Sequence, residues 1–163
     1  MKKGWFAAMT AVLCIGLAGT ALADESDGAS VTYEVTAINE LDVSGNPGNM
    51  TVTTATAGEQ PDAVTDSSTT YAITTNGTNK KITAVLDGDM PDETTLSVTL
   101  TAPNGGTSAG QVTLSSAAAD VVTGITEVAE NGKNITYELD AEVGAGIVGS
   151  ASKTVTFTIA DGN

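Results

Sequence analysis

Alternation with a period of two recurs along most of this chain beyond its first thirty residues, and few structures other than β-strands accommodate it. Val31, Tyr33, Val35 and Ala37 alternate with Thr32, Glu34 and Thr36. Met50-Thr51-Val52-Thr53 repeats the pattern, as do Tyr71 and Ile73 against Thr70, Ala72 and Thr74. Ile82, Ala84 and Leu86 continue it, then Leu96, Val98 and Leu100, then Val112 and Leu114. Ile135, Tyr137, Leu139 and Ala141 follow, and Val155, Phe157 and Ile159 come last. Successive side chains of a strand point to opposite faces, so each set describes one apolar and one polar face. Thr suits the polar positions because its branched Cβ favours extended backbone.

The breaks between these runs carry turn chemistry. Asn76-Gly77 is the strongest short-range hairpin signal. Its parity agrees, with odd positions (71, 73) facing inward before the turn and even positions (82, 84) after it. Asn46-Pro47-Gly48, Pro103-Asn104-Gly105-Gly106 and Asn131-Gly132 read as further turns. Ala117 to Val122 is ambiguous: a short helical turn, or a loop entering a strand near Val121 to Ile125. With no helical crossovers, about eight or nine strands imply antiparallel sheets packed as one β-sandwich, with a closed barrel as the alternative.

The first 23 residues read as an export signal. Lys2 and Lys3 precede a mostly apolar run from Phe6 to Leu22, and Ala21-Leu22-Ala23 supplies a small-x-small cleavage site. The run is short and weakly hydrophobic for a membrane span. Leu13 stands before Cys14 where a lipoprotein signal carries a small residue. The expectation is cleavage after Ala23, no lipid anchor, and an acidic flexible leader over 24–30 ahead of a domain at 31–163. Loss of the signal removes the only Cys, so no disulfide supports the remaining chain. It also leaves four lysines against 20 carboxylates, a net charge of −16. Such a surface repels nucleic acid and anionic lipid. No nucleic-acid partner is expected, and no membrane partner after signal cleavage.

The signal, the Cys-free remainder and the Thr-rich strands resemble small bacterial surface proteins with immunoglobulin-like domains, among them subunits of extracellular fibres. The resemblance implies an immunoglobulin-like sandwich, secreted to the cell surface, the periplasm or the medium. It carries over no site residues, because the cystine-and-Trp core of antibody domains is absent.

The residue inventory argues against catalysis. The chain has no His and no Arg. That removes Ser-His-Asp and Cys-His nucleophile systems, His or Cys zinc sites and arginine clamps for phosphate. A glycosidase needs two carboxylates across a cleft, and no pair is marked out. Tyr33, Tyr71, Tyr137 and Phe157 all share parity with aliphatic neighbours, so they read as core rather than as sugar-stacking platforms. The sharpest polar cluster is Asp87-Gly88-Asp89-Met90-Pro91-Asp92-Glu93. Asp87, Asp89, Asp92 and Glu93 are hard oxygen ligands of the kind calcium takes, although Pro91 and Asp92 break the EF-hand pattern. The competing reading is a solvated acidic turn. Lys153 shares parity with Val155 and Phe157; it reads as a strand-end lysine reaching to water, or as the lysine of an intramolecular amide cross-link. Asn49, Asn76 and Asn134 begin Asn-x-Thr sequons expected by chance in so Thr-rich a chain.

The expected function is therefore non-enzymatic: a self-associating subunit of an extracellular fibre, coat or matrix. An adhesin-like or calcium-stabilised ligand-binding module is the alternative. The strand at 31–37 is expected to fold back into its own sandwich in an isolated chain. Residues 24–37 are equally the candidate for exchange between subunits, because an added strand contributes backbone hydrogen bonds and fills alternate pockets.

Overall fold

The computed structural model describes residues 26–163. The expected signal over 1–23, its cleavage site and Cys14 lie outside the described residues. The chain divides into two units at Glu34 and Val35. Residues 26–34 form no strand and are exposed.

The domain from Val35 onward is all-β. Its strands are β1 (Asn39–Val43), β2 (Val64–Thr75), β3 (Lys80–Leu86), β4 (Thr94–Leu100), β5 (Thr107–Ser108), β6 (Val112–Thr113), β7 (Ala119–Ile125), β8 (Val128–Ala141) and β9 (Val155–Asp161). They form two antiparallel sheets, ordered β1-β2-β8-β4-β6 and β5-β7-β3-β9. Both sheets contribute to one core. Tyr71, Ile73, Val98, Leu100, Ile135 and Tyr137 come from the first sheet, and Ile82, Ala84, Leu86, Val121, Val122 and Ile125 from the second. The residues of the alternating runs are buried at the parities their pattern required, whereas Val121 and Val122, adjacent in β7, are both buried where the register with β3 shifts. Each full burial of such an aliphatic side chain stabilises the fold by about 1.5–3 kcal/mol. Tyr71 is fully enclosed, and its hydroxyl donates to the Thr101 carbonyl at 2.7 Å. Burial, with the Glu130 carboxylate nearby, pushes its pKa up to about 12.

Connectivity departs from the hairpin expectation. Apart from β1 to β2, every step between consecutive strands passes from one sheet to the other. Asn76-Gly77 therefore links β2 to β3 across the core rather than closing a hairpin. The parity switch was real, but two strands facing each other across a core satisfy it as well as two neighbours do. Pro103 to Gly106 is a turn, with the Gly106 amide donating to the Pro103 carbonyl at 3.0 Å, and it too joins opposite sheets.

Asn131-Gly132 is not a turn at all. It lies inside β8 as a bulge opposite Ala72, between the pairs Tyr71↔Lys133 and Ile73↔Glu130. Gly132 has φ +64°, the left-handed conformation that glycine adopts without penalty. Ser67-Ser68 forms a second irregularity on β2, opposite Thr136. Asp66 braces it by accepting from the Ser68 amide at 3.0 Å and the Ser68 hydroxyl at 2.7 Å. Each bulge switches which parity faces the core, from even to odd residue numbers along its own strand.

Residues 117–122 follow the reading of a loop entering a strand, with β7 starting at Ala119. Two other segments differ from expectation. Met50 to Thr53 is not a strand, although Met50 and Val52 are half-buried. Val31 to Ala37 is not a strand either, and Val31, Tyr33 and Val35 are 78%, 88% and 79% exposed. Tyr33 is therefore not a core aromatic. Alternation specifies an apolar face but not where its cover comes from.

Candidate assembly surfaces

An alternating strand sequence that forms no strand is the first unusual surface. Its junction with the domain is built by Asn76. The Asn76 side-chain oxygen accepts from the Ile38 amide at 2.8 Å, and its side-chain nitrogen donates to the Thr36 carbonyl at 2.8 Å. The Asn76 amide also donates to the Ile38 carbonyl at 3.3 Å. Asn76 thus serves as a clamp on residues 36–38, a role its place in a hairpin signal did not suggest. Asn76→Ala is expected to cost about 1 kcal/mol, the net worth of an ordinary hydrogen-bonded pair. Hydrogen exchange should then show the Ile38 amide losing protection while the amides of β8 keep theirs.

The sheet edges form the second surface. Four strands have a neighbour on one side only among the described residues: β1, β6, β5 and β9. β5 and β6 are two residues long. β1 carries Glu40 and Asp42. Short or charged edges resist pairing with another chain. β9 is not short, Val155 to Ala160 contains no charge, Pro or Gly, and its register with β3 runs without a bulge from Leu86↔Val155 to Lys80↔Asp161, although it ends on the charged Asp161 and β1 of the other sheet lies alongside it. Its core-facing Val155, Phe157 and Ile159 are only half-buried, whereas Ile82 and Ala84 on the adjacent β3 are fully enclosed.

A cavity of about 610 Å³ forms the third. Met50, Val52, Met90, Leu139 and Val148 give it apolar walls, and Lys153 borders it. It lies where β8 ends and β9 begins, since its lining includes Ala141, Ser150, Ala151 and Lys153. Asn76 sits at the other end, beside the start of β8 and the finish of β9. Val143 and Val148, both with exposed side chains, line the cavity, and exposed Ile147 precedes Val148 in the chain.

The acidic run behaves as a connector between β3 and β4. The Asp89 carboxylate accepts from the Ser116 amide at 2.7 Å, and this contact, aided by the Lys153 ammonium, lowers its pKa. Glu93 has φ +58°, and its carbonyl accepts from the Glu142 amide at 2.9 Å. Its carboxyl lies by that of Glu142, and hydrogen bonding between the two, with their like charge, raises the Glu142 pKa. Asp87 and Asp92 are exposed. Asp87, Asp89, Asp92 and Glu93 are thus near in sequence, but Asp89 and Glu93 turn to different partners, Ser116 and Glu142. Among the described residues no three carboxylates gather into a metal-holding group. Lys153 precedes β9 and is exposed, with its ammonium beside Gly88. The other three lysines among the described residues form ion pairs, Lys80 with Asp161, Lys81 with Asp120 at 3.1 Å, and Lys133 with Glu130.

Among the described residues no helix is long and apolar enough to cross a membrane. Comparison with known proteins returns no matching family model, curated protein or solved structure.

Proposed function

We propose that this chain is an exported, non-enzymatic subunit that polymerises outside the cytoplasm by donating residues 24–37 to a neighbouring copy. The single observation behind this reading is the exposed alternation of Val31, Tyr33 and Val35. A soluble domain gains nothing from holding three large apolar side chains in water, whereas a donated strand buries such a row in a neighbour's sheet. Repetition of that exchange is head-to-tail and open-ended, so it builds a filament rather than a closed dimer. The architecture belongs to this reading as an immunoglobulin-like sandwich, supported by two antiparallel sheets around one core. Its departure from immunoglobulin domains is the scarcity of same-sheet hairpins.

At −16 per subunit, charge opposes assembly. Salt should promote it, because the screening length falls from about 10 Å at 0.1 M to about 3 Å at 1 M. The test compares the chain from Asp24 with two variants, one lacking residues 24–35 and one carrying Val31→Ser, Tyr33→Ser and Val35→Ser. Serine leaves the net charge unchanged, and all three positions are exposed, so both variants should melt like the parent. Light scattering and electron microscopy are expected to show salt-promoted polymer for the parent and monomer for both variants. A parent that stays monomeric at every salt and calcium concentration overturns the reading.

A further inference from the structure

We infer that the acceptor for the donated strand is the free edge of β9, entered from the cavity at the start of that strand. This inference rests on the strand-donation reading and adds the place, direction and register of the contact. The choice among the four edges follows from their protection. β5 and β6 are too short to template a seven-residue strand, and β1 presents Glu40 and Asp42 to a donor that itself carries Glu34. β9 is seven residues long, uncharged up to Ala160 and free of bulges, and Val31 to Ala37 is also seven residues.

Direction follows from where the parts sit. The donor leaves its own domain beside Asn76, at the end where β9 finishes. The cavity lies at the opposite end, where β9 begins. Stacking one copy on the next head-to-tail brings the root of one donor to the cavity of its neighbour. The donor then runs along β9 with its root near Val155 and its tip near Asp161. That direction is antiparallel to β9, as are all pairs in both sheets.

The side chains match in this arrangement. Directly opposed residues of an antiparallel pair share a face. Aligning Ala37 with Val155 sets Val35 against Phe157 and Tyr33 against Ile159. Val35 and Tyr33 thereby fall beside the half-buried row of β9 and gain cover, while Val31 comes opposite Asp161 at the end of the strand. Thr36, Glu34 and Thr32 then oppose Thr156, Thr158 and Ala160 on the outer face. The apolar cavity walls receive the side chains around the donor's root.

The chain from Asp24 has no Cys, so single cysteines report the contact directly. A chain carrying only Glu34→Cys is co-assembled at high salt with a larger-tagged chain carrying only Thr158→Cys, then oxidised. Both positions are exposed in the single chain. Opposed antiparallel residues place their Cα atoms about 4.5–5.5 Å apart, within the range a disulfide spans. The expected result is a covalent heterodimer as the main cross-linked product on a non-reducing gel. Parallel mixtures replacing Thr158→Cys by Asp42→Cys on β1 or Thr113→Cys on β6 should polymerise equally by light scattering but not form it. Polymers that cross-link through Asp42→Cys or Thr113→Cys, or through none of the three edges, overturn β9 as the acceptor and leave strand donation standing. Absence of polymer in every mixture and in the parent chain overturns strand donation itself.

Discussion

Tyr71→Ala is expected to destabilise the domain by about 3–5 kcal/mol, whereas Tyr33→Ala should change its stability by no more than about 0.5 kcal/mol. Both tyrosines sit in Thr-Tyr dipeptides within alternating runs, and nothing local distinguishes them. Their surroundings do. Tyr71 is 1% exposed on β2, one of the first sheet's long inner strands, and Tyr33 is 88% exposed. Truncating Tyr71 leaves a cavity among Ile73, Leu100 and the rest of the core and strips the Thr101 carbonyl of its donor. Against a total of about 5–15 kcal/mol for an ordinary domain, that loss removes a large share of the stability. Tyr71→Phe separates the two contributions, because it keeps the ring and loses only the hydrogen bond, worth about 1 kcal/mol. Urea unfolding of the monomer at low salt measures all three variants. Equal losses from Tyr71→Ala and Tyr33→Ala would mean that residue 33 is packed in the monomer, contrary to the exposed position that strand donation requires.

The contrast between those tyrosines marks how far the sequence carries. The alternating runs at 71–73, 82–86, 96–100 and 135–139 identified the strands and their core faces, because period two follows from backbone geometry alone. Sheet assignment was not legible. Asn76-Gly77 and Pro103 to Gly106 reverse the chain with the chemistry of a hairpin, yet each delivers the next strand to the opposite sheet. A turn dipeptide fixes a few dihedral angles; whether the following strand pairs beside its predecessor or faces it depends on distant partners. β2 pairs with β8, more than fifty residues away at their bulged middle, and no local signal encodes that choice.

The candidate surfaces divide in the same way. Val31 to Ala37 was legible as a strand sequence with an apolar face, and the structure shows that its own chain leaves that face uncovered. The β9 edge was not legible, since edge status depends on strand order. Its lack of charge reads from the sequence only once the edge is known. The acidic run at 87–93 was conspicuous in composition, but carboxylate count says nothing about convergence. Asp89 turns to Ser116 and Glu93 to Glu142, partners 27 and 49 residues further on in the chain.

Gly132→Val is expected to cost about 2 kcal/mol, and Gly77→Ala much less, an order opposite to the one a hairpin at Asn76-Gly77 would produce. A two-residue hairpin of the favoured Asn-Gly type holds its glycine at positive φ, where any other residue is strained. Gly77 is not in that conformation, whereas Gly132 has φ +64° inside the β8 bulge. A side chain at Gly132 meets no atom within 4 Å, so its cost is conformational, about 1–2 kcal/mol for an L-residue forced left-handed and at the upper end for a β-branched one. A Cβ at Gly77 first meets the Lys80 side chain at 2.5 Å, and that flexible chain can swing aside at the expense of its exposed ion pair with Asp161. Exposed pairs of this kind contribute little, about 0–1 kcal/mol. The bulge also sets which residues of β8 face the core: Val128 is buried before it, and Ile135 and Tyr137 after it. Straightening β8 by deleting Gly132 would turn one of those two sets to the outside face, so strain at φ +64° is the smaller loss and the bulge should persist in Gly132→Val. Urea unfolding gives the two free energies. A larger loss from Gly77→Ala than from Gly132→Val would show that Gly77 holds a left-handed hairpin turn between β2 and β3, where the structure places positive φ at Asn79 instead, and the two-sheet path of the chain would have to be redrawn.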